Sequence, residues 1–375
     1  MKTSILAISD VHIGCPRLNP KLLHDKFVKF LYPQITSEIS ILFICGDFFD
    51  NLLNLNAYAA FVAMDIIKEL KHLCRQVGCD LRVLRGTFTH DRDQPKHFVN
   101  GENPNDLSVR LFDKLALEHH ARTGLNIIYI PDNLKCDDIY ENIHELLESH
   151  NLEKADILVH HGYFKHMLPE ALIAKGLPHG CLEVDKIQKY VKGCVLNGHV
   201  HISSIYQNVI SIGSFDRLAH GEEEPKGFYR IDIDEDGYKF KFIENKDATK
   251  FITYNLLTFN SEQAVSYFNS EFSHLVEKLR DDEPIRVRVI SDDKAVLEGC
   301  TQIAKGMYKN VMVDQGSMAK RSNTIENAAT DLSELPIITD KNLVELLMPI
   351  LKKQDPSVKE ETVKSILISV GCNPD

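Results

Sequence analysis

Short runs of apolar residues alternate with longer amphipathic segments over the first 200 residues of this 375-residue chain. Each run is four to seven residues long, which is the length of a buried strand. The predicted strands are Ser4–Ser9, Ile39–Cys45, Leu81–Leu84, Asn126–Ile130, Ile157–His160 and Gly193–Leu196. Between them, Asn56–Cys74 has apolar residues at helical spacing. This alternation favours a sheet that is covered by helices.

A different pattern begins at about Val209, where predicted strands follow one another directly. These strands are Val209–Ile212, Gly227–Asp234 and Tyr238–Ile243. The four residues from Asp234 to Gly237 are of the types that form hairpin turns. An alternating half followed by a hairpin half predicts an α+β chain in which two sheets pack face to face with helices outside, a four-layer α-β-β-α arrangement.

The C-terminal third of the chain is predicted to form a smaller unit, a linker and a pair of helices. The smaller unit has predicted elements at Ser261–Leu279 (helix), Pro284–Ile290 (strand), Lys294–Ala304 (helix) and Val311–Val313 (strand). The segment 318–333 is rich in Ser, Asn and Ala, as linkers are. The final helices, Asp340–Lys353 and Pro356–Val370, are too short to fold alone. The predicted boundaries are therefore 1–247, 248–317, 318–336 (the linker) and 337–375 (the helix pair).

The charge and the cysteines restrict the function classes. Lys and Arg number 43 against 54 Asp and Glu, so the net charge of −11 argues against a generic binder of polyanions. No apolar run reaches the ~18–20 residues of a membrane span, and the N-terminal run is too short for a signal peptide. The nine cysteines contain no CxxC pair, which favours buried thiols in a reducing compartment. We therefore predict a cytoplasmic protein without membrane association.

Carboxylate and imidazole residues follow the ends of five predicted strands. They are Asp10 and His12, then Asp47 and Asp50, then His90 and Asp91, then His160 and His161, and finally His199 and His201. Because the carboxyl ends of such strands converge at one edge of a sheet, these side chains are expected to lie close together. Mixed nitrogen and oxygen ligands suit Mn, Fe or Zn better than Ca or Mg alone.

Each motif taken alone also has a purely structural explanation. Asp10 could cap a helix, and a single histidine is more often a surface or core residue than a ligand. His199 and His201 are stronger evidence, because alternate residues of an extended chain point to the same face. Five such motifs in order are difficult to attribute to coincidence, so together they predict a metal centre.

In this order the motifs resemble those of the calcineurin-like metallophosphoesterase superfamily, whose pattern is D-x-H, GD, GNH(D/E), a strand-end His and G-H-x-H. Four of the five stand intact within residues 1–245. The stretch Ile212–Arg217, followed by Gly221-Glu222 and Lys226-Gly227-Phe228, is similar to the GS-x-x-R…E…KG segment of SbcD-type DNA repair nucleases and their meiotic-recombination relatives. The resemblance implies a four-layer metallophosphoesterase sandwich, a small α/β capping domain at 248–317 and C-terminal helices that dock on a partner.

The resemblance also implies two divalent metal ions, with Mn²⁺ expected and Mg²⁺ as the alternative. The implied ligands are Asp10, His12, Asp47 and His201 for one ion, and Asp47, His160, His199 and a residue of the third motif for the other. Asp47 would then bridge the pair. A bridging carboxylate offsets the repulsion between two ions that lie about 3.5–4 Å apart.

The third motif departs from the family pattern. The stretch Gly86-Thr87-Phe88-Thr89-His90-Asp91 is two residues longer than GNHD and has no Asn. Thr89, directly before the histidine, could offer its hydroxyl as a metal ligand; otherwise a water substitutes or the second ion binds more weakly. His90 matches the family histidine that stabilises or protonates the leaving oxygen, and it is predicted to be catalytic.

The remaining polar residues near the motifs leave alternatives open. Asp50 is predicted as a catalytic residue near the substrate, or it caps a following helix. His161 is expected to contact either a ligand or the substrate. Arg85, Arg92 and Lys96 could meet phosphates or lie on the surface. With no Trp and ordinary Tyr and Phe content, the sequence shows no obvious platform for stacking nucleobases.

The function that the resemblance implies is hydrolysis of DNA phosphodiesters in repair or recombination, exonucleolytic from duplex ends and endonucleolytic on single strands. The implied partners are DNA, an SbcC-type SMC-like ATPase bound through the C-terminal helix pair, and a second copy of the chain, in a bacterial or phage-infected cell. Two alternatives stay open: a phosphatase on the same fold, and a weakly active scaffold for the ATPase.

Overall fold

The computed structural model describes residues 3–100, 107–132, 136–174, 176–178, 180–280, 283–316, 348 and 359–369. Over these residues the chain is a mixture of helices and strands, which confirms the predicted α+β class at that level. The strands form two six-stranded sheets and one three-stranded sheet.

Twelve strands make up the two larger sheets. They are β1 (Thr3–Ile8), β2 (Ile39–Cys45), β3 (Asp80–Leu84), β4 (Val109–Phe112), β5 (Ala116–His120), β6 (Leu125–Ile130), β7 (Ala155–His161), β8 (Val191–Gly198), β9 (Ser204–Tyr206), β10 (Val209–Ser211), β11 (Gly227–Asp234) and β12 (Gly237–Glu244). The predicted strands of the first 200 residues are all present. β4, β5 and β9 were not predicted, because they are short and only partly apolar.

Both larger sheets contain parallel and antiparallel pairs. The first has the order β12-β11-β1-β2-β3-β4, and the second has the order β5-β6-β7-β8-β10-β9. In the first sheet β1 to β4 are parallel neighbours, whereas β11 runs antiparallel to β1 and to β12. Asp234 pairs with Gly237 between β11 and β12, so the predicted hairpin is confirmed.

The two larger sheets bury a common hydrophobic core between their facing surfaces. Ile5 of β1, Ile127 of β6 and Leu196 of β8 are fully buried members of this core. The opposite side chains of β1, Leu6 and Ile8, belong to a second core on the outer face of the first sheet. Burial on both faces accounts for the continuous apolar sequence of β1.

Helices cover the outer faces of both sheets. The α-helices of this part of the chain are α1 (Pro20–Lys26), α2 (Tyr58–Val77), α3 (Phe88–Asp91), α4 (Cys136–Ser149), α5 (Glu170–Ile173) and α6 (Val184–Ile187). Ile66 and Leu70 of α2 pack in the outer core of the first sheet, and Ile143 of α4 packs in that of the second. α2 ends at Gly78, whose left-handed conformation (φ 75°) caps the helix.

The C-terminal part contains a smaller sheet and further helices. Its elements are β13 (Lys250–Asn255), α7 (Ser261–Val276), β14 (Ile285–Ile290), α8 (Lys294–Met307), β15 (Val311–Gly316) and α9 (Glu360–Ser369). They overlap the predicted helices and strands of 261–313. α9 overlaps the second predicted terminal helix, whereas the predicted linker and nearly all of Asp340–Lys353 lie outside the described residues.

The chain divides into two compact units. The first comprises Met1–Tyr254, Ser266–Arg288 and Cys300–Asp314, and the second comprises Asn255–Val265, Val289–Gly299 and Gln315–Asp375. The predicted domain boundaries stay predictions.

Seven cysteines of the described part are buried and free, as the sequence predicts: Cys15, Cys45, Cys74, Cys79, Cys181, Cys194 and Cys300. Within the described segments, every helix is too short or too polar to cross a membrane.

Candidate metal centre

The loops that follow β1, β2 and β8 are joined by hydrogen bonds at one edge of the two larger sheets. The backbone N–H of Asp10 donates to the carbonyl of Gly46 (3.1 Å), and that of His12 donates to the carbonyl of Asp47 (3.1 Å). The backbone N–H of His199 donates to both carboxylate oxygens of Asp10, at 3.1 and 3.0 Å. All these residues belong to the first compact unit.

Several residues of these loops have strained backbones. Asp10, His12, Asp47 and His199 have positive φ angles of 50°, 52°, 48° and 83°. Each such conformation costs about 1–3 kcal/mol in a non-glycine residue, and it persists only where the surrounding structure holds it. Gly46 (φ 92°) also has no room for a side chain, because a Cβ there would overlap the ring of His161. Strain of this kind is typical of functional sites.

The first candidate cluster consists of Asp10, His12 and His201. The Nε2 atoms of His12 and His201 lie 4.0 and 3.9 Å from Oδ1 of Asp10. His12 Nε2 is also 3.8 Å from Oδ2 of Asp47. These separations are too long for hydrogen bonds, whereas two ligands each about 2.1 Å from one metal ion lie about 3–4 Å apart. The spacing therefore fits a shared cation.

His12 gives the strongest indication that a cation belongs in this cluster. Its side chain is buried, and Nε2 has no hydrogen-bond partner among the described residues. Nδ1 lies 3.2 Å from a carboxylate oxygen of Asp50. Because buried polar atoms without partners are costly, a metal ion would satisfy a need that the protein itself leaves open.

The second candidate cluster consists of Asp47, His161 and His199. His161 Nε2 lies 3.2 Å from Oδ2 of Asp47, the same oxygen that lies near His12. The other oxygen of Asp47 accepts a hydrogen bond from the backbone N–H of Thr87 (2.6 Å). Asp47 thus stands between the two clusters, in the position that a bridging carboxylate would occupy.

The structure brings His161, and not the predicted His160, to the second cluster. Both residues end β7, where successive side chains point to opposite faces. Nδ1–H of His160 donates to the amide oxygen of Asn197 (2.6 Å), so this ring is committed to a buried contact away from Asp47. Nδ1–H of His161 donates to the carbonyl of Cys45 (2.7 Å), which directs Nε2 toward Asp47.

In the third motif, too, the residue that lies near the second cluster is not the one that the sequence predicts. Thr89 is exposed and belongs to none of the candidate clusters found among the described residues. The hydroxyl of Thr87 lies 3.3 Å from Nδ1 of His199 and 3.5 Å from Nε2 of His161. Thr87 directly follows Gly86, which is where the family motif has its Asn. The two extra residues therefore follow this position instead of preceding it.

His90 and Asp50 form a third group with His12. Nδ1–H of His90 donates to the backbone carbonyl of Asp50 (2.5 Å), and the rings of His90 and His12 meet edge to face at 4.9 Å. Asp50 does not cap a helix, because the next helix, α2, begins only at Tyr58. The structure thus places both predicted catalytic residues beside the first cluster.

Asp91 organises the loops under the second cluster. Its carboxylate accepts hydrogen bonds from the backbone N–H groups of Gly86 (2.7 Å), Asp47 (3.1 Å) and Phe49 (3.0 Å). Burial, together with the nearby charge of Asp47, raises the pKa of Asp91 to about 6. The carboxylate therefore holds the β2 and β3 loops in register from within the protein.

Glu222 and Lys226 support the ring of His201. Oε1 of Glu222 lies 3.4 Å from Nδ1 of His201, and Lys226 is paired both with Glu222 (2.8 Å) and with the backbone carbonyl of His201 (2.8 Å). Burial would raise the pKa of Glu222, but contacts with His201 and Lys226 lower it to about 2. A carboxylate on the far nitrogen of a histidine is a common way to orient a metal ligand.

The histidines of the site differ in protonation. Burial lowers the pKa of His199 to about 4 and that of His160 to about 3, so both rings are neutral at pH 7. Burial would also lower the pKa of His161, but the carboxylate of Asp47 raises it to about 10. Nε2 of His161 and Oδ2 of Asp47 are thus in contact at 3.2 Å, and a cation bound to Nε2 would have to displace this contact.

The three basic residues that were predicted near the third motif, Arg85, Arg92 and Lys96, have different surroundings. Lys96 pairs with Asp93 on the surface (2.8 Å), and Arg92 is exposed. The guanidinium of Arg85 donates to the backbone carbonyl of Asp113 (3.2 Å) and lies 5.9 Å from the centre of the Phe88 ring.

No protein-family model matches the sequence, and no curated protein matches it. Among solved structures, one crystal structure whose description gives no protein name is 16% identical, with a TM-score of 0.32, over 65% of this chain and 100% of its own. A type I 3-dehydroquinate dehydratase from Clostridium difficile is 10% identical, with a TM-score of 0.13, over 84% of this chain and 75% of its own. These sequence identities and TM-scores are too low to indicate a shared fold.

The sequence prediction differs from the structure at two members of the candidate site. His161 was expected only to contact a ligand or the substrate; the strand period places the rings of His160 and His161 on opposite faces, but it does not show which face turns toward Asp47. Thr87 would have been predicted if the third motif had been aligned on its glycine instead of its histidine.

Proposed function

We propose that this chain is a metal-dependent DNA nuclease that resembles SbcD-type enzymes and has the sandwich of calcineurin-like metallophosphoesterases. The observation that carries the proposal is the position of Asp47, whose Oδ2 lies 3.8 Å from His12 in one cluster and 3.2 Å from His161 in the other. The sequence of layers, with helices outside two facing sheets, supports the sandwich.

The donor set supports a pair of divalent ions. Asp10, His12 and His201 would hold one ion together with Asp47, and Asp47, His161, His199 and Thr87 would hold the other. Nitrogen and oxygen donors in this mixture suit Mn²⁺. When bound, such ions supply Lewis-acid polarisation and charge neutralisation of a phosphate group.

The protein's own residues would position the reacting groups. The backbone carbonyl of Asp50 fixes Nδ1 of His90, so Nε2 of His90 is the nitrogen that can exchange a proton with a leaving oxygen. The carboxylate of Asp50 also lies against Nδ1 of His12. Asp50 is therefore proposed as a positioning residue for two rings, while His90 is the proposed proton donor.

The segment after β10 supports a nuclease rather than a general phosphatase. It carries the Glu222 and Lys226 contacts to His201, on the residues that resemble the SbcD-type pattern. Its Asp216 is fully buried, where it pairs with Lys26 and accepts a hydrogen bond from the backbone N–H of Thr249 (2.6 Å). These contacts tie the segment to α1 and to the start of β13.

The proposed assembly follows from the same resemblance. It consists of two copies of this chain with an SbcC-type ATPase, which the C-terminal helices would contact, in the cytoplasm. α9 is the described part of that helix pair.

The test is a cleavage assay with purified protein and Mn²⁺, alone and with the ATPase. Substrates are single-stranded and duplex DNA, with p-nitrophenyl phosphate for comparison, and the control variant is His144→Ala on the exposed side of α4. The proposal predicts Mn²⁺-dependent cleavage of DNA that is lost in His90→Ala and kept in His144→Ala. Turnover of p-nitrophenyl phosphate alone would identify a phosphatase, and no turnover with the ATPase present would identify a scaffold.

A further inference from the structure

Phe88 is a large aromatic side chain that the fold leaves in solvent. It is 57% exposed at the first position of α3, in the part of the third motif where this sequence departs from the family pattern. Asp91, at the end of the same helix, points into the protein, where its carboxylate accepts hydrogen bonds from three backbone N–H groups. Phe88 makes no such contribution to the packing of this loop.

The ring of Phe88 is adjacent in the chain to the candidate metal centre. Thr87, on one side, directs its hydroxyl at His161 and His199, and His90, two residues further on, contacts the ring of His12. Phe88 is therefore an exposed aromatic residue that lies, along the chain, between two residues of the candidate site.

Arg85 supports the ring from within the protein. Its guanidinium lies 5.9 Å from the centre of the Phe88 ring, and it is fixed by a hydrogen bond to the backbone carbonyl of Asp113. A cation near the face of an aromatic ring is attracted to it and stabilises the ring's position.

We propose that Phe88 is a specificity-determining residue that stacks on a nucleobase of single-stranded DNA next to the cleaved phosphate. This inference rests on the proposed nuclease function and names the part of the substrate that Phe88 recognises. A ring at this position would favour nucleic acid over phosphoserine and phosphothreonine proteins and over aliphatic phosphate esters, because these carry no flat group beside their phosphate.

The charge of the chain makes a contact of this type useful. A net charge of −11 gives little attraction for a polyanion through the surface alone. Stacking on an aromatic ring is independent of the net charge and of the identity of the base. Phe88 would therefore give this acidic chain affinity for DNA that its lysines and arginines do not supply.

The experiment measures binding instead of turnover. A fluorescently labelled phosphorothioate dT oligonucleotide and an abasic oligonucleotide of equal length are titrated with the intact protein in Mn²⁺, and fluorescence anisotropy gives each affinity. The variants are Phe88→Ala and Phe88→Tyr, with Phe61→Ala as the matched control, because Phe61 on α2 is 59% exposed. Bound Mn²⁺ is counted in each variant.

Phe88→Ala is expected to weaken dT binding by about 5- to 100-fold while leaving abasic binding and bound Mn²⁺ unchanged. Phe88→Tyr is expected to restore the affinity, and Phe61→Ala is expected to have no effect. Equal losses on dT and abasic DNA, or no loss at all in a protein that cleaves DNA, would overturn the role of Phe88. A parent protein that neither binds nor cleaves DNA would instead overturn the proposed nuclease function.

Discussion

The two candidate clusters share Asp47 but differ in how far their ligand atoms are already committed. In the first cluster the Nε2 atoms of His12 and His201 stand 3.8–4.0 Å from the carboxylate oxygens, with no hydrogen bond between them. In the second, His161 and Asp47 are in direct contact at 3.2 Å. The first cluster thus has room for a cation without breaking a contact, whereas a cation in the second must displace this contact.

The second cluster is also the one with the weaker donor. The hydroxyl of Thr87 lies within 3.5 Å of both His161 and His199, at a position where the metallophosphoesterase pattern that the sequence resembles has an Asn. A neutral hydroxyl is a poorer ligand for a divalent ion than an amide oxygen. For the proposed metal centre, this comparison leads to the central prediction that the two clusters would bind metal with unequal affinity, the first tightly and the second weakly.

The largest effect is expected from Asp47→Asn, because this side chain belongs to both clusters. Loss of its charge should reduce Mn²⁺-dependent DNA cleavage by at least about 100-fold, since even residues behind metal ligands contribute 10- to 100-fold. Cleavage rates and bound Mn²⁺ are measured together, with Asp93→Asn on the surface as the control. Retention of both ions in Asp47→Asn would contradict the shared position.

His161→Asn should remove the second ion and spare the first. The comparison variant is His160→Asn, which removes the imidazole N–H that donates to the buried amide oxygen of Asn197. That change should lower the free energy of unfolding by about 1–3 kcal/mol without removing either ion. Thermal unfolding and Mn²⁺ titration separate the two effects; loss of an ion in His160→Asn alone would restore the role that the sequence predicts for His160.

Glu222→Gln tests the contribution of the carboxylate that contacts His201, a residue of the first cluster. The substitution keeps the shape of the side chain but removes the charge that faces His201, and we expect Mn²⁺ affinity at the first cluster to fall by about 10- to 100-fold. Weak binding at the second cluster should change little. A Mn²⁺ titration that shows the reverse order would mean that His201 is not a ligand of the tight site.

Thr87→Asn should strengthen the weak site by up to about tenfold, because it places an amide oxygen where the hydroxyl now stands. Thr89→Asn is the matched control, since Thr89 is exposed on the same short helix. The readout is the affinity for the second Mn²⁺ ion. An equal gain in both variants, or a gain only in Thr89→Asn, would show that the third motif is placed as the sequence suggested.

The α+β class, the buried strands and the positions of Asp10, His12 and Asp47 after those strands could be predicted from the sequence because their signals are local. Buried strands such as β1 and β2 are short apolar runs, and Asp10, His12 and Asp47 follow them directly. The second cluster depends on finer information. The choice between His160 and His161 depends on which face of β7 turns toward Asp47, and the choice between Thr87 and Thr89 depends on where two extra residues are accommodated in the loop.

The exposure of a single aromatic ring shows another limit. The sequence, which has no Trp, shows no obvious platform for stacking, whereas Phe88 is 57% exposed at the start of α3. Exposure of this kind depends on the path of one loop, and composition does not report it.

The most direct test of the central prediction is calorimetric titration of the metal-free protein with Mn²⁺, with the number of bound ions counted independently. The account predicts two ions that bind in two separate steps, with the weaker step alone lost in His161→Asn and both steps impaired in Asp47→Asn. Two ions of equal affinity, or a single ion that is insensitive to Asp47→Asn, would contradict it.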